Sequence, residues 1–224
     1  MMEDARAYQE LRVGFTAAVS HELRTPLARL LALLDSATLP DADRDELLAQ
    51  AREQVEQMTE LVNDVLFLSE LESGREVVAL GGTEVLPVLE ELRDRLADSA
   101  ENADITIQVD AAPGIELPLR RRMLQTVVEN LAQNSIRYAG PGATLTFAAS
   151  PGVLQVGDDG RGVEEDELPR LFERFYRSDR ARASRGTGLG LAIVKHVVVS
   201  AGGNVVAFGG PGRGLQVVCS FPVL

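Results

Sequence analysis

Three side chains that could do chemistry together occur within one short stretch near the N-terminus: His21, Glu22 and Thr25. The surrounding apolar residues recur at helical spacing, so a helix would place the imidazole, the carboxylate and the hydroxyl along one edge. Pro26 lacks the amide that would bond the Glu22 carbonyl, so we expect the helix to bend there and present His21 outward. A lone histidine on an amphipathic helix can equally be a solvated or packed residue.

A second group of polar side chains shares one face of a predicted helix over 119–138. Asn130, Asn134, Arg137 and Tyr138 follow at positions i, i+4, i+7 and i+8. Carboxamide oxygens suit a hard cation such as Mg²⁺, and Arg137 could neutralise a phosphate. Two asparagines on a solvated helix face would look the same.

Asp158 follows a predicted strand and precedes Gly160 and Gly162. A carboxylate accepts hydrogen bonds from an exocyclic amine, and glycines let the backbone approach a flat ring closely. An ordinary turn at the end of a strand would have the same composition.

A second glycine-rich segment, called here the glycine box, opens a predicted helix and consists of Gly186, Thr187, Gly188, Leu189 and Gly190. Free amides at a helix start attract phosphate. The spacing differs from the dinucleotide-binding G-x-G-x-x-G motif, so we interpret the segment as a phosphate cradle. Three aromatic residues between 172 and 176 could anchor a lid or form a core patch.

The N-terminal part that carries His21 is predicted to be a helical hairpin. A helical pattern of roughly 35 residues, about 50 Å long, covers 3–37, and Asp43 with Glu46 caps a second helix that ends near 72. Apolar residues follow 3-4 spacing along both helices, at 23, 27, 30 and 34 and then at 48, 51, 55, 58, 62 and 65. Such a hairpin cannot cover its own apolar stripe, which favours a dimeric four-helix bundle. Packing of the stripe on the C-terminal domain is the alternative.

The remaining chain predicts an α+β sandwich with helices on one face of a mixed sheet. Helices are predicted at 84–101, with Thr83 as cap, and at 119–138, 165–172 and 187–200. Strands are predicted at 76–80, 105–109, 143–149, 153–156, 204–208 and 214–221. The predicted domains are therefore a helical hairpin at 1–73, a linker at 74–82 and a second domain at 83–224.

Composition limits the function classes. The chain of 224 residues is 45% hydrophobic and has a formal net charge of −12, which argues against a general nucleic-acid or anionic-membrane surface. One cysteine, Cys219, fits a reducing compartment. No apolar run approaches the roughly 20 residues that cross a bilayer, so we expect a soluble chain without a membrane segment. A helix already under way at residue 3 looks like the continuation of an upstream segment.

The order of these five motifs resembles that of the sensor histidine kinases of two-component signalling, and the resemblance covers essentially the whole chain. It implies a dimerisation and histidine-phosphotransfer hairpin followed by a catalytic ATP-binding domain of the fold shared with certain chaperone and DNA-repair ATPases. It also implies ATP and Mg²⁺ as cofactors, a homodimer, and a response-regulator receiver domain as partner. The chain would be cytoplasmic, or the cytoplasmic portion of a membrane-anchored sensor.

The resemblance assigns roles to the catalytic residues. His21 would accept the γ-phosphoryl group, Glu22 would orient and deprotonate it, and Thr25 would orient water when the receiver is dephosphorylated. Asn134 would ligate Mg²⁺. The residues implied to bind ATP are Asn130, Asn134, Arg137, Tyr138, Asp158, Gly160, Gly162, Gly186, Thr187, Gly188, Leu189 and Gly190.

The departures from the family pattern are modest. Asp159 stands where Asn is usual, which would weaken a contact on the Mg²⁺ or water side. Arg161 replaces the usual Pro, and Arg137 stands for a common Lys. His196 has no expected role other than a structural or solvated one.

Two functions other than an active kinase are compatible with part of this pattern. A dimeric adaptor that binds nucleotide without transferring phosphate is disfavoured by the complete His21 and Glu22 pair. A chaperone-like or repair ATPase is disfavoured by the hairpin that bears the histidine.

Overall fold

The computed structural model describes residues 2–39, 43–73, 78, 81–178 and 186–222, with side chains from residue 16 onward. The chain divides into two compact units. The first runs to Phe67 and also takes in Gly186 and Thr187, and the second begins at Leu68 and contains the other described residues. The domain boundaries at 73 and 83 stay predictions.

Two long helices build the first unit: α1 (Met2–Ser36) and the part of α2 (Arg44–Glu72) that ends at Phe67. The helix continues without interruption through Pro26. The predicted cap of α2 is confirmed, since the Glu46 amide donates to Asp43 Oδ1 at 3.1 Å. Among the described residues, no helix has the length and apolar character that a bilayer crossing needs.

The apolar residues of the hairpin divide into a buried and an exposed set. On α2, Ala51 and Leu61 are buried together with Gln54, whereas Leu48 and Val55 are about half exposed. Leu48 and Val55 belong to the stripe that the hairpin is predicted to leave uncovered, so the predicted seam stays a prediction. Other large apolar side chains left exposed on the two helices are Leu27, Leu31, Leu34, Val62 and Leu66.

A five-stranded mixed sheet forms the second unit. Its strands are β2 (Thr106–Ala111), β4 (Thr144–Ser150), β5 (Val153–Asp158), β6 (Asn204–Gly209) and β7 (Leu215–Ser220), in the order β2-β4-β5-β7-β6. Only β2 and β4 pair in parallel; the other neighbours are antiparallel. A small separate ribbon pairs β1 (Thr83–Glu84) with β3 (Glu116–Leu117).

Three helices of the second unit pack against the sheet and one another: α3 (Val85–Asn102), α4 (Arg121–Tyr138) and α5 (Gly190–Ser200). Alternate residues of the central strands supply the core, and the fully buried ones include Leu145, Phe147, Leu154 and Cys219. This architecture confirms the predicted α+β sandwich. Cys219 packs as a small apolar residue, and burial raises the pKa of its thiol to about 12.

Several local predictions were wrong. Thr83 does not cap α3, because its hydroxyl donates to the Leu119 carbonyl, and the N-cap of α3 is Glu84. Only a single 3-10 turn, Leu168–Arg170, occurs where a helix was predicted over 165–172. α5 begins at Gly190 rather than 187. The strand predicted at 76–80 lies outside the described residues except for Val78, which has no strand conformation.

Candidate functional site

His21 lies on α1 with its side chain 75% exposed. The Glu22 carboxylate is the neighbouring charged group, with Oε1 3.6 Å from His21 Nδ1, and its side chain is 38% exposed. Thr25 is exposed one turn further along the same helix. The first unit therefore presents an accessible imidazole with a carboxylate on its Nδ1 side.

The polar face of α4 carries four of the predicted nucleotide residues. Asn130 is fixed in place, because its amide nitrogen donates to the Thr126 carbonyl at 2.8 Å. A Cβ on Gly190 would lie 2.6 Å from Asn130 Oδ1, so the carboxamide abuts the first residue of α5. Of the other three predicted residues of this face, Asn134 and Tyr138 are half-buried and Arg137 is exposed.

Asp158 ends β5 and is held by several donors. Its Oδ2 accepts the Ser135 hydroxyl of α4 at 2.7 Å. Its Oδ1 accepts the Gly160 amide at 3.1 Å and the Leu215 amide at 3.4 Å. The half-buried carboxylate thus has a defined orientation between a helix, its own loop and β7.

Gly160 and Gly162 are needed for close approach within the protein itself. A Cβ on Gly160 would lie 2.3 Å from the Ala139 carbonyl oxygen, and one on Gly162 would lie 2.0 Å from that of Gly210. The Arg161 amide between them donates to the Ala139 carbonyl at 2.9 Å. The sequence interpretation had these glycines admit a flat ring. The contacts show that Gly160 also lets the loop pack against the end of α4, and that Gly162 lets it pack against Gly210, between β6 and β7.

Asp159 and Arg161, the two residues of this loop that differ from the usual family pattern, have local partners. Asp159 Oδ1 accepts the Thr144 amide at 2.6 Å, so its carboxylate is turned toward the start of β4. The Arg161 side chain lies over Gly140, where an added Cβ would come within 2.6 Å of its Nε. The weakened cation-side contact expected from Asp159 is not tested by these contacts and stays a prediction.

The glycine box joins the aromatic segment through Phe175. The Phe175 amide donates to the Gly188 carbonyl at 2.9 Å, and a Cβ on Gly188 would lie 2.8 Å from Phe175 Cα. Phe175 itself has φ of 60°, an uncommon value for a bulky residue. Leu189 is fully buried. In the first unit, the Thr187 hydroxyl donates to Asp64 of α2 at 2.7 Å.

The donor set around Asn134 fits a lightly held hard cation. Among the described residues no cluster of three or more His, Cys, Asp or Glu side chains could enclose a metal. Mg²⁺ keeps several waters and commonly takes one or two protein oxygens together with substrate phosphates. The Asn134 carboxamide can supply such an oxygen.

Sequence reasoning missed two residues of this site. Ser135 was passed over although it lies directly after Asn134, and its place on the buried face of α4 was the available signal. Gly214 accompanies Gly160, whose carbonyl accepts the Gly214 amide at 3.0 Å. That contact joins β7 to a loop more than fifty residues earlier, which no local pattern reveals.

Two family comparisons cover most of the chain. Residues 11–74 match the His Kinase A (phospho-acceptor) domain. Residues 119–224 match the histidine kinase-, DNA gyrase B- and HSP90-like ATPase family. The first match contains His21, and the second contains Asn134, Asp158 and the glycine box.

Individual relatives agree with these matches. The sensor-like histidine kinase SenX3 of Mycobacterium bovis is 32% identical over 231 residues, covering 99% of this chain and 56% of SenX3. The phosphate regulon sensor protein PhoR of Pseudomonas aeruginosa is 36% identical over 225 residues, covering 95% of this chain and 50% of PhoR. The chain thus spans about half the length of these curated relatives.

A solved structure shows the same architecture. The Acinetobacter baumannii histidine kinase AdeS has a TM-score of 0.72 at 25% identity, with 91% of this chain and 98% of the AdeS chain covered. Taken with the two domain matches and the relatives, this likeness shows that the chain belongs to the sensor histidine kinases of two-component signalling.

Proposed function

We propose that this chain catalyses ATP-dependent phosphorylation of its own His21 and then passes the phosphoryl group to an aspartate of a response-regulator receiver domain. The observation that carries the proposal is the exposed imidazole with the Glu22 carboxylate 3.6 Å from Nδ1. A structural histidine would be packed or bonded to the backbone, whereas this side chain is three-quarters exposed.

The position of Glu22 supports different roles for the two imidazole nitrogens of His21 in this proposal. A carboxylate near Nδ1 favours the tautomer with the proton on Nδ1, which leaves the lone pair on Nε2. Nε2 attacks the γ-phosphorus of ATP, an N–P bond forms, and the bond to the β,γ-bridging oxygen breaks as ADP leaves with the electron pair. The Nδ1 proton passes to Glu22.

The second unit supplies the nucleotide site in this proposal. Asp158 accepts a hydrogen bond from the exocyclic amine of adenine, Tyr138 lies against the base, and Arg137 meets phosphate. Support comes from the fixed carboxylate of Asp158, since preorganised acceptors bind without further ordering cost. Asn130, Gly160 and Gly162 shape the site. The glycine box, with its amides at the start of α5, holds phosphates.

Mg²⁺ accompanies ATP in the proposal and would be held by Asn134, where it neutralises charge on the phosphates. Thr25, one turn after His21, orients water for dephosphorylation of the receiver partner. We place the protein in the cytoplasm, as a whole or as the cytoplasmic portion of a membrane-anchored sensor.

A homodimer is proposed because the hairpin leaves a row of large apolar side chains half exposed. Leu31 is 56% exposed on α1, and Val55 is 49% exposed on α2. Four helices from two copies would bury such a stripe. Val55→Glu should shift the protein toward monomer in analytical ultracentrifugation, while Glu56→Gln, which changes the charge at the next position, should leave the dimer intact.

The central experiment incubates the full chain with γ-labelled ATP and Mg²⁺ and tests for protein-bound label that is acid-labile and base-stable. We expect His21→Gln to abolish the label while nucleotide binding persists. His196→Gln is the matched control, because it removes the only other histidine of the sequence. Label that survives in His21→Gln would place the acceptor elsewhere and refute the proposal.

Asn134→Ala separates the nucleotide site from the fold. The variant should lower the labelling rate while the dimer and its circular dichroism remain unchanged. Loss of folding in this variant would assign Asn134 a structural role and remove it from the proposed cation site.

A further inference from the structure

Ser135 has an unusual environment for a serine in a helix. It is 3% exposed, and among the described residues Gln54 is the only other polar or charged residue that is buried. Several other helical hydroxyls donate to the carbonyl four residues back, as those of Ser20, Ser36 and Thr126 do. Ser135 instead donates across to Asp158 of β5 at 2.7 Å. Its hydroxyl is therefore used for a contact between elements.

The acceptor capacity of Asp158 is largely occupied by the protein. An ionised carboxylate offers about four lone-pair positions on its two oxygens. Two donors, the Gly160 and Leu215 amides, share Oδ1, whereas the Ser135 hydroxyl is the single donor shown on Oδ2. The remaining position thus lies on Oδ2, the oxygen that Ser135 orients.

From this arrangement we infer that Ser135 is a positioning residue that holds Asp158 Oδ2 toward the exocyclic amine of the nucleotide base, and that it thereby contributes to the choice of a 6-aminopurine over a 6-oxopurine. The inference rests on the proposed function, in which Asp158 reads adenine. It goes further by naming the residue that sets the orientation of the reading group.

The physical reason lies in the direction of the hydrogen bonds. With its hydroxyl donating, Ser135 keeps Oδ2 an acceptor, which matches an amine and opposes the carbonyl of a 6-oxopurine. Without the hydroxyl, the carboxylate can turn or recruit water, and a ligand with an amine loses a preorganised partner. A ligand with no group at that position loses nothing, since it makes no hydrogen bond to Oδ2.

The test measures binding of three nucleotides to the full chain by titration calorimetry: ATP, inosine triphosphate and purine riboside triphosphate, which lacks the 6-amino group. We expect Ser135→Ala to weaken ATP binding roughly ten-fold, as for loss of a hydrogen bond to a charged group. Binding of purine riboside triphosphate should change by less than about two-fold, because that ligand bypasses the contact. Ser220→Ala, which removes an exposed hydroxyl bonded to Asn204 at the far end of β7, is the control and should change neither.

The ratio of the ATP and purine riboside triphosphate affinities is the deciding quantity, since general loosening of α4 would weaken both ligands together. Ser135→Thr keeps a hydroxyl, and the ratio should return toward that of the unmodified chain. An unchanged ratio in Ser135→Ala, or equal weakening of both ligands, overturns the inference. If the unmodified chain itself does not prefer ATP to the other two nucleotides, it is the assignment of Asp158 that fails.

Discussion

Replacing Gly160 with alanine tests whether the loop after β5 is held rigidly against the end of α4. The new Cβ would lie 2.3 Å from the Ala139 carbonyl oxygen, 2.6 Å from Ala139 Cα and 2.7 Å from its carbonyl carbon. All three are backbone atoms that cannot rotate away. Removing the clash therefore requires the helix end or the loop to move by about 1 Å, so that the atoms regain the usual contact distance. The φ angle of Gly160 is outside the left-handed region, so the cost is steric rather than conformational.

The magnitude follows from two contributions. Overpacking of a close contact typically costs about 1–3 kcal/mol. The shift would also break the hydrogen bonds from the Arg161 amide to the Ala139 carbonyl and from the Gly160 amide to Asp158, each worth about 1 kcal/mol. We therefore expect the second unit to lose about 3–5 kcal/mol of its free energy of unfolding, as a sum of these two effects. ATP binding should weaken in parallel.

Hydrogen-exchange mass spectrometry on peptides of β5 and α4 measures this free energy without contributions from the first unit. The control is Gly114→Ala, because Gly114 has φ of +80° and nothing within 4 Å of an added Cβ. That variant should cost only the left-handed strain of about 1–2 kcal/mol. If these peptides exchanged as slowly in Gly160→Ala as in Gly114→Ala, and Gly160→Ala bound ATP normally, the reasoning from the Ala139 contact would be wrong.

Three further predictions concern single contacts. Asp43→Ala removes the cap on the Glu46 amide and should lower the stability of the helical unit by about 1 kcal/mol, measured by thermal circular dichroism, with nucleotide binding unchanged. Asp159→Ala leaves the Thr144 amide without its acceptor and should destabilise β4 by about 1 kcal/mol in hydrogen exchange, whereas Asp159→Asn keeps an acceptor oxygen and should cost less; equal effects would argue against the contact. The thiol pKa of Cys219 is raised from 9.0 to about 12, so the unfolded chain loses this proton first and stability should fall as pH rises from about 9 toward 12. Cys219→Ala should reduce the fall of the free energy of unfolding between about pH 9 and 12, measured by denaturant titration. The thiol of the folded protein should not react with a thiol reagent at pH 8 until denaturant is added.

Strong local patterns were enough to predict the elements of the chain. The long helices on either side of Asp43 were predicted within a few residues, because periodicity and capping chemistry are properties of neighbouring residues. The strands β4 and β5 were predicted at 143–149 and 153–156 for the same reason. The helix predicted over 165–172 shrank to a single turn, since an acidic, weakly periodic segment has little apolar face to bury.

The residues of the proposed nucleotide site were also named from the sequence, but the contacts that hold them in position were not. Asp158 was expected to meet an amine, and the tertiary structure added that Ser135 and two backbone amides already orient its carboxylate. Thr83 was expected to cap a helix, yet its hydroxyl found a carbonyl 36 residues later in the chain.

Residue types and short spacings were therefore enough to predict the kind of chemistry, the order of the motifs and the helices and strands that carry them. The hydrogen-bond partners and steric contacts of these side chains, in contrast, could be identified only from the folded chain. The partners of Gly160, Asp158 and Ser135 come from α4, β5 and β7, and a hydrogen bond or a steric contact between distant segments depends on distances that folding sets and no local pattern records.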